Sequence, residues 1–166
     1  MTLLDAPAFD TVRDRRNRRI IFITVGALGV LTLAWWMAAG LPIDWPWTWN
    51  NHWRGTVAVD RFFKAVEAND LPKAYGIWVH DKNWQQRSGV TRDYTFARFQ
   101  EDWSPNGQGN DYGAIKSHSL TAARMYGNVL VVGVYINGRK SKAMFLSYDT
   151  KDHTLGFSPV ELYLGP

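Results

Sequence analysis

The sequence predicts an α+β protein in which an N-terminal transmembrane helix precedes a domain of three helices packed on a curved four-stranded antiparallel sheet. Three observations favour this fold. Residues 20–41 carry no charged side chain, and as a helix they would extend about 33 Å, enough to cross the hydrocarbon core of a bilayer. Apolar residues then recur at helical spacing up to residue 103. Strand-like segments separated by turn residues follow from residue 115.

The arginines before the apolar run set the predicted orientation. They lie within residues 1–19, and no comparable basic cluster follows the run. Arginines that flank a first span stay in the cytoplasm, so residues 1–19 are predicted to be a cytoplasmic tail at an inner membrane, and the chain beyond residue 41 is predicted to be periplasmic. A cleavable signal peptide is the alternative, but its apolar region is usually about 7–15 residues long. The orienting residues are Arg13, Arg15, Arg16, Arg18 and Arg19.

Residues 42–54 are predicted to be a connector rich in tryptophan and proline. Six of the nine tryptophans lie between residues 35 and 53. Because indole combines an apolar body with one N–H donor, it favours the headgroup zone, and we interpret the cluster as an interfacial belt that needs no cofactor. A docking surface for another membrane subunit, or for a flat pigment or quinone, is the alternative. The belt consists of Trp35, Trp36, Trp45, Trp47, Trp49 and Trp53.

The distribution of charge argues against nucleic acid as a partner. The chain has a formal net charge of +4. Beyond residue 19, however, 14 basic side chains are balanced by 12 acidic ones, which predicts no basic face outside the tail. Cysteine is absent, which excludes disulfides, thiolate metal sites and cysteine nucleophiles.

The domain is predicted to occupy residues 55–166 and to begin with helices. Asp70 is the predicted N-cap of the second helix, LPKAYGIWV. Asp93 is the predicted cap of a third helix within YTFARFQEDW. The three apolar faces are Val59, Phe62, Phe63 and Val66 in the first helix, Leu71, Tyr75 and Trp78 in the second, and Phe96, Phe99 and Trp103 in the third.

Four strands are predicted in chain order, in the segments IKSHSLTAARMY, VLVVGVYI, RKSKAMFLSY and LGFSPVELYL. Gly127-Asn128 and Asn137-Gly138 are two-residue turn signals between the first three strands. Pro159 confines the last segment to an edge position or a bulge. Strands paired in this order form an antiparallel meander with the helices on one face.

The second and third strands are apolar in both alternating phases. A sheet with one solvated face alternates apolar and polar residues, so both faces of these strands are predicted to be covered. Helices cover one face. A second copy of the chain, another subunit, or the chain's own loops, including the connector, would cover the other. The predicted partner face consists of Val129, Val131, Tyr135 and Phe145.

The segment VDRFFKAVEANDLPKAYGIW resembles the opening helix pair of the nuclear-transport-factor-like superfamily, the cone-shaped fold that includes ketosteroid isomerases and SnoaL-like proteins. The C-terminal hairpins are similar too, and the resemblance covers about residues 55–165. It implies a cone-shaped domain with a pocket between helices and sheet. In enzymes of the superfamily that pocket holds an acidic or histidine base and a tyrosine or aspartate donor, but no position here matches a catalytic motif.

His80, Asp81 and Trp84 come nearest to a catalytic constellation. A histidine beside a carboxylate can act as a general base, but side chains adjacent in sequence seldom point to one place. These three are therefore pocket candidates, and no catalytic residue is predicted. The remaining histidines are isolated in the sequence and lack metal-ligand spacing, so no metal is predicted. They are His52, His118 and His153.

These observations favour a non-catalytic, single-span membrane protein whose outer domain is an interaction module, as an accessory or assembly subunit of a larger membrane complex. The expected partners are the lipid bilayer and other subunits or a second copy, with no cofactor. A small-ligand-binding or isomerase-like domain that uses the cone pocket is the alternative.

Overall fold

The computed structural model describes residues 11–87 and 93–164. The chain divides into two compact units, Met1–Ala38 and Ala39–Pro166. The described part of the first unit is a single helix, α1 (Thr11–Ala38). The second unit contains the other helices and the sheet.

α1 is long and apolar enough, from Val12 to Ala38, to cross a membrane, and among the described residues it is the one helix with that length and composition. Its bounds differ from the predicted span of 20–41, because the arginine-bearing part of the tail is helical as well. The helix ends at Ala38 because Gly40 and Leu41 have positive φ values of 86° and 56°, a left-handed backbone that cannot continue an α-helix.

The second unit opens with a short 3-10 turn, Pro46–Thr48, which leads directly into α2 (Trp49–Glu67). The predicted connector, 42–54, therefore contains the first turns of α2, and no linker separates it from the helix. The reason lies in the buried face of α2, which extends toward the N-terminus at about helical spacing. A histidine and a glycine interrupt the apolar pattern there and conceal it in the sequence. The added buried residues are Trp49, His52 and Gly55.

Two more helices follow, α3 (Leu71–Trp78) and α4 (Phe96–Trp103). The predicted cap of α3 is confirmed, since the Asp70 side chain accepts a hydrogen bond from the Lys73 amide. The predicted cap of α4 is wrong. Thr95 has the extended backbone that an N-cap needs and accepts from the Arg98 amide, whereas Asp93 lies two residues too early.

The sheet has four antiparallel strands in the order β1-β2-β3-β4. This confirms the α+β class and the four-stranded antiparallel sheet. The strands are β1 (His118–Tyr126), β2 (Val129–Ile136), β3 (Ala143–Asp149) and β4 (Leu155–Phe157). β4 is an edge strand that ends before Pro159, whose missing N–H cannot extend the ladder.

The connection between β2 and β3 is longer than the predicted two-residue turn. Tyr135 pairs with Ala143, so β3 starts four residues later than the predicted segment. Asn137 does have a positive φ of 52°, but its side chain serves another purpose. Its Oδ1 accepts from the Lys116 amide at 2.8 Å, and its Nδ2 donates to the Ala114 carbonyl at 2.9 Å. Asn137 thereby anchors the chain that enters β1.

The core lies between the helices and one face of the sheet. Leu130, Val132, Val134 and Ile136 alternate along β2 and are fully buried against the helices. Aromatic rings from the helices fill the rest, with centroid distances such as 4.7 Å between Phe62 and Trp103. The helical members of this core are Val59, Phe62, Phe63, Ala65, Val66, Leu71, Ala74, Tyr75, Trp78, Phe99 and Trp103. Each large side chain contributes about 1.5–3 kcal/mol by burial. The helix faces predicted from periodicity are confirmed, except that Phe96 is only partly buried against the core.

The outer face of the sheet is less exposed than an uncovered face would be. Val131 is only 2% exposed, and Val129, Tyr135 and Phe145 are half-buried. Residues 161–164 and 140–143 line one concavity of about 530 Å³ beside Phe145.

Candidate functional site

A concave site of about 970 Å³ lies between α2, α3 and the turns that follow α3. We call it the α2–α3 groove. α2 contributes residues at i, i+3, i+4 and i+7, and α3 contributes residues at i, i+3 and i+4, so each set lies on one helix face. They are Arg54, Val57, Ala58 and Arg61 from α2, and Lys73, Gly76 and Ile77 from α3. His80, in the turn after α3, also lines the groove.

The groove gathers positive charge. Arg54, Arg61, Lys73 and Lys82 all line it, and no aspartate or glutamate among the described residues does so. Within residues 11–87 and 93–164, none of these four cations forms an ion pair with a described carboxylate. The structure therefore corrects the expectation of no basic face outside the tail. An even balance of charges along the sequence conceals their segregation in the fold.

The wall of the groove depends on how α3 ends. The Asp81 amide donates to the Gly76 carbonyl at 2.9 Å, and between them His80 has a positive φ of 50°. This is the Schellman arrangement, in which glycine usually occupies the position of His80. The turn then places Trp84 against α3, where its Nε1 donates to the Pro72 carbonyl. A Cβ on Gly76 would lie 3.2 Å from the Asp81 carbonyl oxygen, so glycine permits this close return.

The lining of the groove also includes a tyrosine and a histidine from the β3–β4 region. The Tyr148 hydroxyl and His153 Nδ1 share a hydrogen bond of 2.7 Å. His153 in turn lies edge-on to His80, with ring centroids 5.2 Å apart. Burial raises the pKa of Tyr148, and nearby Asp149 raises it further, while the Arg54 guanidinium opposes the rise. The neutral phenol is therefore the form that the groove favours.

The structure brings two of the three predicted pocket candidates into this groove. His80 and Trp84 line it, but Asp81 does not. The Asp81 carboxylate accepts from the Asn83 amide and lies 3.5 Å from Arg87, so it stabilises the turn. The three side chains do not converge on one point, in keeping with their adjacency in the sequence.

Sequence reasoning missed the role of His52, which is 1% exposed. Its Nε2 donates to Asp44 Oδ2 at 2.8 Å, because an ionised carboxylate can only accept. The same oxygen accepts from the Met125 amide of β1 at 3.1 Å. Asp44 therefore joins the connector, α2 and the sheet. The spacing of these residues in the sequence gives no signal for such a contact.

His118 is also paired. Its Nδ1 lies 2.6 Å from Glu67 Oε1, and its Nε2 lies 3.3 Å from Asp60 Oδ1. Burial acts to raise the pKa of Asp60, but the Lys64 ammonium and His118 outweigh it, and that pKa is lowered. Among the residues that the structure describes, no group of three or more His, Cys, Asp or Glu side chains is arranged to hold a metal ion.

The predicted belt tryptophans have different environments. Trp35 and Trp36 lie in α1. Trp45 and Trp47 are 68% and 73% exposed, and their rings stack at a centroid distance of 5.0 Å. Trp53 is half-exposed and is one of the residues that line the α2–α3 groove.

Trp49 differs from the other members of the predicted belt. It is 8% exposed, and its Nε1 donates to the Asp44 carbonyl at 3.0 Å. Because its indole is packed inside the Ala39–Pro166 unit, Trp49 does not take part in an exposed belt.

The interior between helices and sheet is where the resemblance to cone-shaped domains implies a pocket. In the described residues, aromatic side chains fill this space: Trp78 and Trp103 are 4% and 2% exposed, and Phe99 is fully buried. At its edge the Tyr94 hydroxyl donates to Asp102 Oδ2 at 2.8 Å. Burial, reinforced by the Asp102 carboxylate, raises the pKa of Tyr94 far above its ordinary value. The large concave site therefore lies outside this interior.

Comparison of the chain with models of protein families, with curated proteins and with solved structures found no match.

Proposed function

We propose that this chain is a single-span membrane protein whose Ala39–Pro166 unit is an interaction module, acting as an accessory or assembly subunit of a larger membrane complex. One observation carries the proposal. An exposed apolar set stands at the start of that unit, directly after the candidate span in the sequence. It comprises Leu41, Ile43, Trp45 and Trp47, with exposures of 53%, 103%, 68% and 73%.

Exposed aromatic groups of this size are unusual on a free surface. Contiguous exposed apolar residues mark contacts with proteins or membranes. The stacked planes of Trp45 and Trp47 differ by only 5°, so the two indoles present one flat, preformed face. Such rigid aromatic faces are frequent anchors at protein interfaces, and their N–H groups suit the headgroup zone. We therefore assign this face to the membrane interface and to a partner subunit bound there.

Gentle solubilisation of the native membrane followed by sizing of the tagged full-length chain tests the proposal. We expect the chain to migrate in a complex larger than a monomer, with a co-purifying partner. Replacing Trp45 and Trp47 by serine should release the partner. The matched control replaces two exposed apolar residues elsewhere, Val160 and Tyr163, by serine and should leave the complex intact. A free monomer without a partner would contradict the proposal.

The orientation is a second part of the proposal. Five arginines precede the apolar part of α1. Because basic residues that flank a span remain in the cytoplasm, they favour a cytoplasmic N-terminus with the folded unit in the periplasm. A C-terminal alkaline phosphatase fusion should be active, and a C-terminal green fluorescent protein fusion should be dark when exported through the general secretion route. The opposite pair of results, or release of the chain by carbonate, would reject this topology.

The α2–α3 groove favours a second candidate function, the binding of a small ligand. Its volume of about 970 Å³ falls within the range of small-molecule sites. Relation to the nuclear-transport-factor-like superfamily also stays a proposal, supported by the succession of helices and then antiparallel strands. A ligand held between helices and sheet would have to displace Trp78 or Phe99, so we place this candidate in the groove.

A further inference from the structure

We propose that the α2–α3 groove binds the headgroup of an anionic phospholipid, with the first part of an acyl chain on its apolar floor. The inference depends on the proposed membrane position of the chain. It assigns a ligand class to a surface that the partner-binding proposal does not use.

The charge of the groove points to an anion. Four basic side chains line it, and within the described residues no carboxylate lines it or forms an ion pair with them. Like charges held on two adjacent helices repel one another, and a bound phosphate would relieve that repulsion. Guanidinium groups such as those of Arg54 and Arg61 hydrogen-bond phosphate oxygens in a bidentate manner. Two lysines on the opposite wall supply additional point charges.

The floor of the groove points to an amphiphile rather than to a free ion. Between the cations lie Val57, Ala58 and Ile77, and the indoles of Trp53 and Trp84 stand at the sides. A phosphate ion alone would leave this apolar surface and most of the 970 Å³ unoccupied. A molecule with one anionic end and one apolar end matches both parts of the site.

The position of Trp53 favours a lipid of the surrounding bilayer as the source. It is one of the residues that line the groove and is 48% exposed. It also belongs to the stretch that follows the candidate span and that contains the exposed pair Trp45 and Trp47. Basic side chains near a membrane surface attract anionic headgroups. Trp53 therefore connects the groove, along the sequence, to the stretch that we assign to the membrane interface.

The absence of cysteine allows a direct test on the full-length chain. A single cysteine at Gln85, an exposed residue of the groove lining, carries an environment-sensitive fluorophore. The protein is placed in nanodiscs of phosphatidylcholine, or of phosphatidylcholine with about 30% phosphatidylglycerol. We expect a blue shift in the anionic discs that is at least about fivefold larger than in the neutral discs.

Paired variants locate the effect. Arg54→Gln with Arg61→Gln should reduce the shift in anionic discs to the level of neutral discs. The matched control, Lys116→Gln with Lys140→Gln, removes two exposed cations outside the groove and should keep the shift. This control also accounts for anionic lipid attracted to the arginines before the span, since those are present in every variant. If the protein carrying both arginine substitutions fails to fold, the double variant Lys73→Gln with Lys82→Gln provides the same measurement on the opposite wall.

Several results would overturn the proposal. An equal shift in both kinds of disc, or a full shift in the arginine variant, removes the groove as an anionic lipid site. An equal response to inorganic phosphate in neutral discs identifies a free-phosphate site, and a stronger response to an octaglutamate peptide identifies an acidic-peptide site. Each leaves the partner-binding proposal standing, because that proposal is judged by the size of the native complex and by the Trp45 and Trp47 variants.

Discussion

α2 presents two faces of opposite character within one helix. Its core face, with Phe62 and Phe63, is fully buried against the other helices and the sheet. Its groove face, with Arg54 and Arg61, is exposed and carries charge that no described carboxylate pairs. Packing in the core therefore determines which residues the first face can carry. Core packing does not constrain the residues of the second face, so they can suit a ligand.

The largest expected effect separates the two faces by stability. Phe62→Ala removes a fully buried ring that contacts Phe63, Trp78, Phe99 and Trp103. It should lower the free energy of unfolding by about 3–5 kcal/mol. Arg61→Gln, one residue earlier, should change it by less than about 0.5 kcal/mol. Thermal and urea unfolding of the full chain in detergent measures both, and similar losses in the two variants would erase the distinction.

A smaller effect is expected where a glycine of α2 lies close to side chains of the sheet. A Cβ on Gly55 would lie 2.5 Å from Leu130 Cδ2 and 2.9 Å from Tyr148 Cδ1. Overpacking of this kind costs about 1–3 kcal/mol, and the better helix propensity of alanine offsets about 1 kcal/mol. Gly55→Ala should therefore destabilise the unit by up to about 2 kcal/mol in the same unfolding assays.

A second substitution sharpens the Gly55 prediction. Leu130→Ala removes the methyl group that would overlap, so Gly55→Ala should cost less in that background than in the natural chain. Equal costs in the two backgrounds would show that contact with Leu130 is not what requires glycine.

Two tyrosines allow the regions to be compared by pH. The pKa of Tyr94 at the core edge is raised strongly, by burial and then by Asp102, and the pKa of Tyr148 in the groove is raised as well. A raised pKa contributes stability that is fully present below the unfolded value of about 10 and is lost as pH rises toward the folded value. Tyr94→Phe should cost about 1 kcal/mol at pH 8.

That cost should shrink as pH rises above about 10, because only the natural chain then loses the contribution of its neutral phenol. Unfolding of both proteins from pH 8 to 11 measures the difference. A cost that is constant over this range would mean that Tyr94 has an ordinary pKa.

The smallest expected effect concerns the wall of the groove. His80 occupies a left-handed position that glycine adopts more easily, at a cost of about 1 kcal/mol for a residue with a Cβ. His80→Gly should therefore stabilise the Ala39–Pro166 unit by about 0.5–1 kcal/mol while removing one side chain from the groove. Loss of stability instead would show that the contact with His153 outweighs the backbone strain. The groove lining would then contribute to stability as the core face does.

Local patterns in the sequence predicted much of the fold. The apolar faces of the helices, the Asp70 cap and the order of the strands depend on residues a few positions apart, where spacing determines direction. Trp49 and the β2–β3 turn are two places where local patterns do not predict the structure. The indole of Trp49 and the side chain of Asn137 are positioned by partners outside their own elements, and no local spacing encodes those contacts.

The candidate site likewise has one part that the sequence predicts and one part that it does not. The sequence names His80 and Trp84 as pocket candidates because a histidine lies beside a carboxylate in one short segment, and both line the groove. The four cations of the groove are separated in the sequence by acidic residues. Counting charges along the sequence therefore does not show that these cations share one site. The partner face on β2 and β3 stays a prediction, although the burial of Val131 leaves that residue little area to offer.

The sequence by itself determined that one helix is long and apolar enough to cross a membrane, and that helices precede an antiparallel meander. Periodicity and uninterrupted apolar length are properties of neighbouring residues, so they can be recognised in the sequence alone. Only the tertiary structure decided that Asp44 joins α2 to the Met125 amide 81 residues away, and that cations from two helices and a turn share one groove. Those features depend on how separate elements pack, and packing is set by the whole core together.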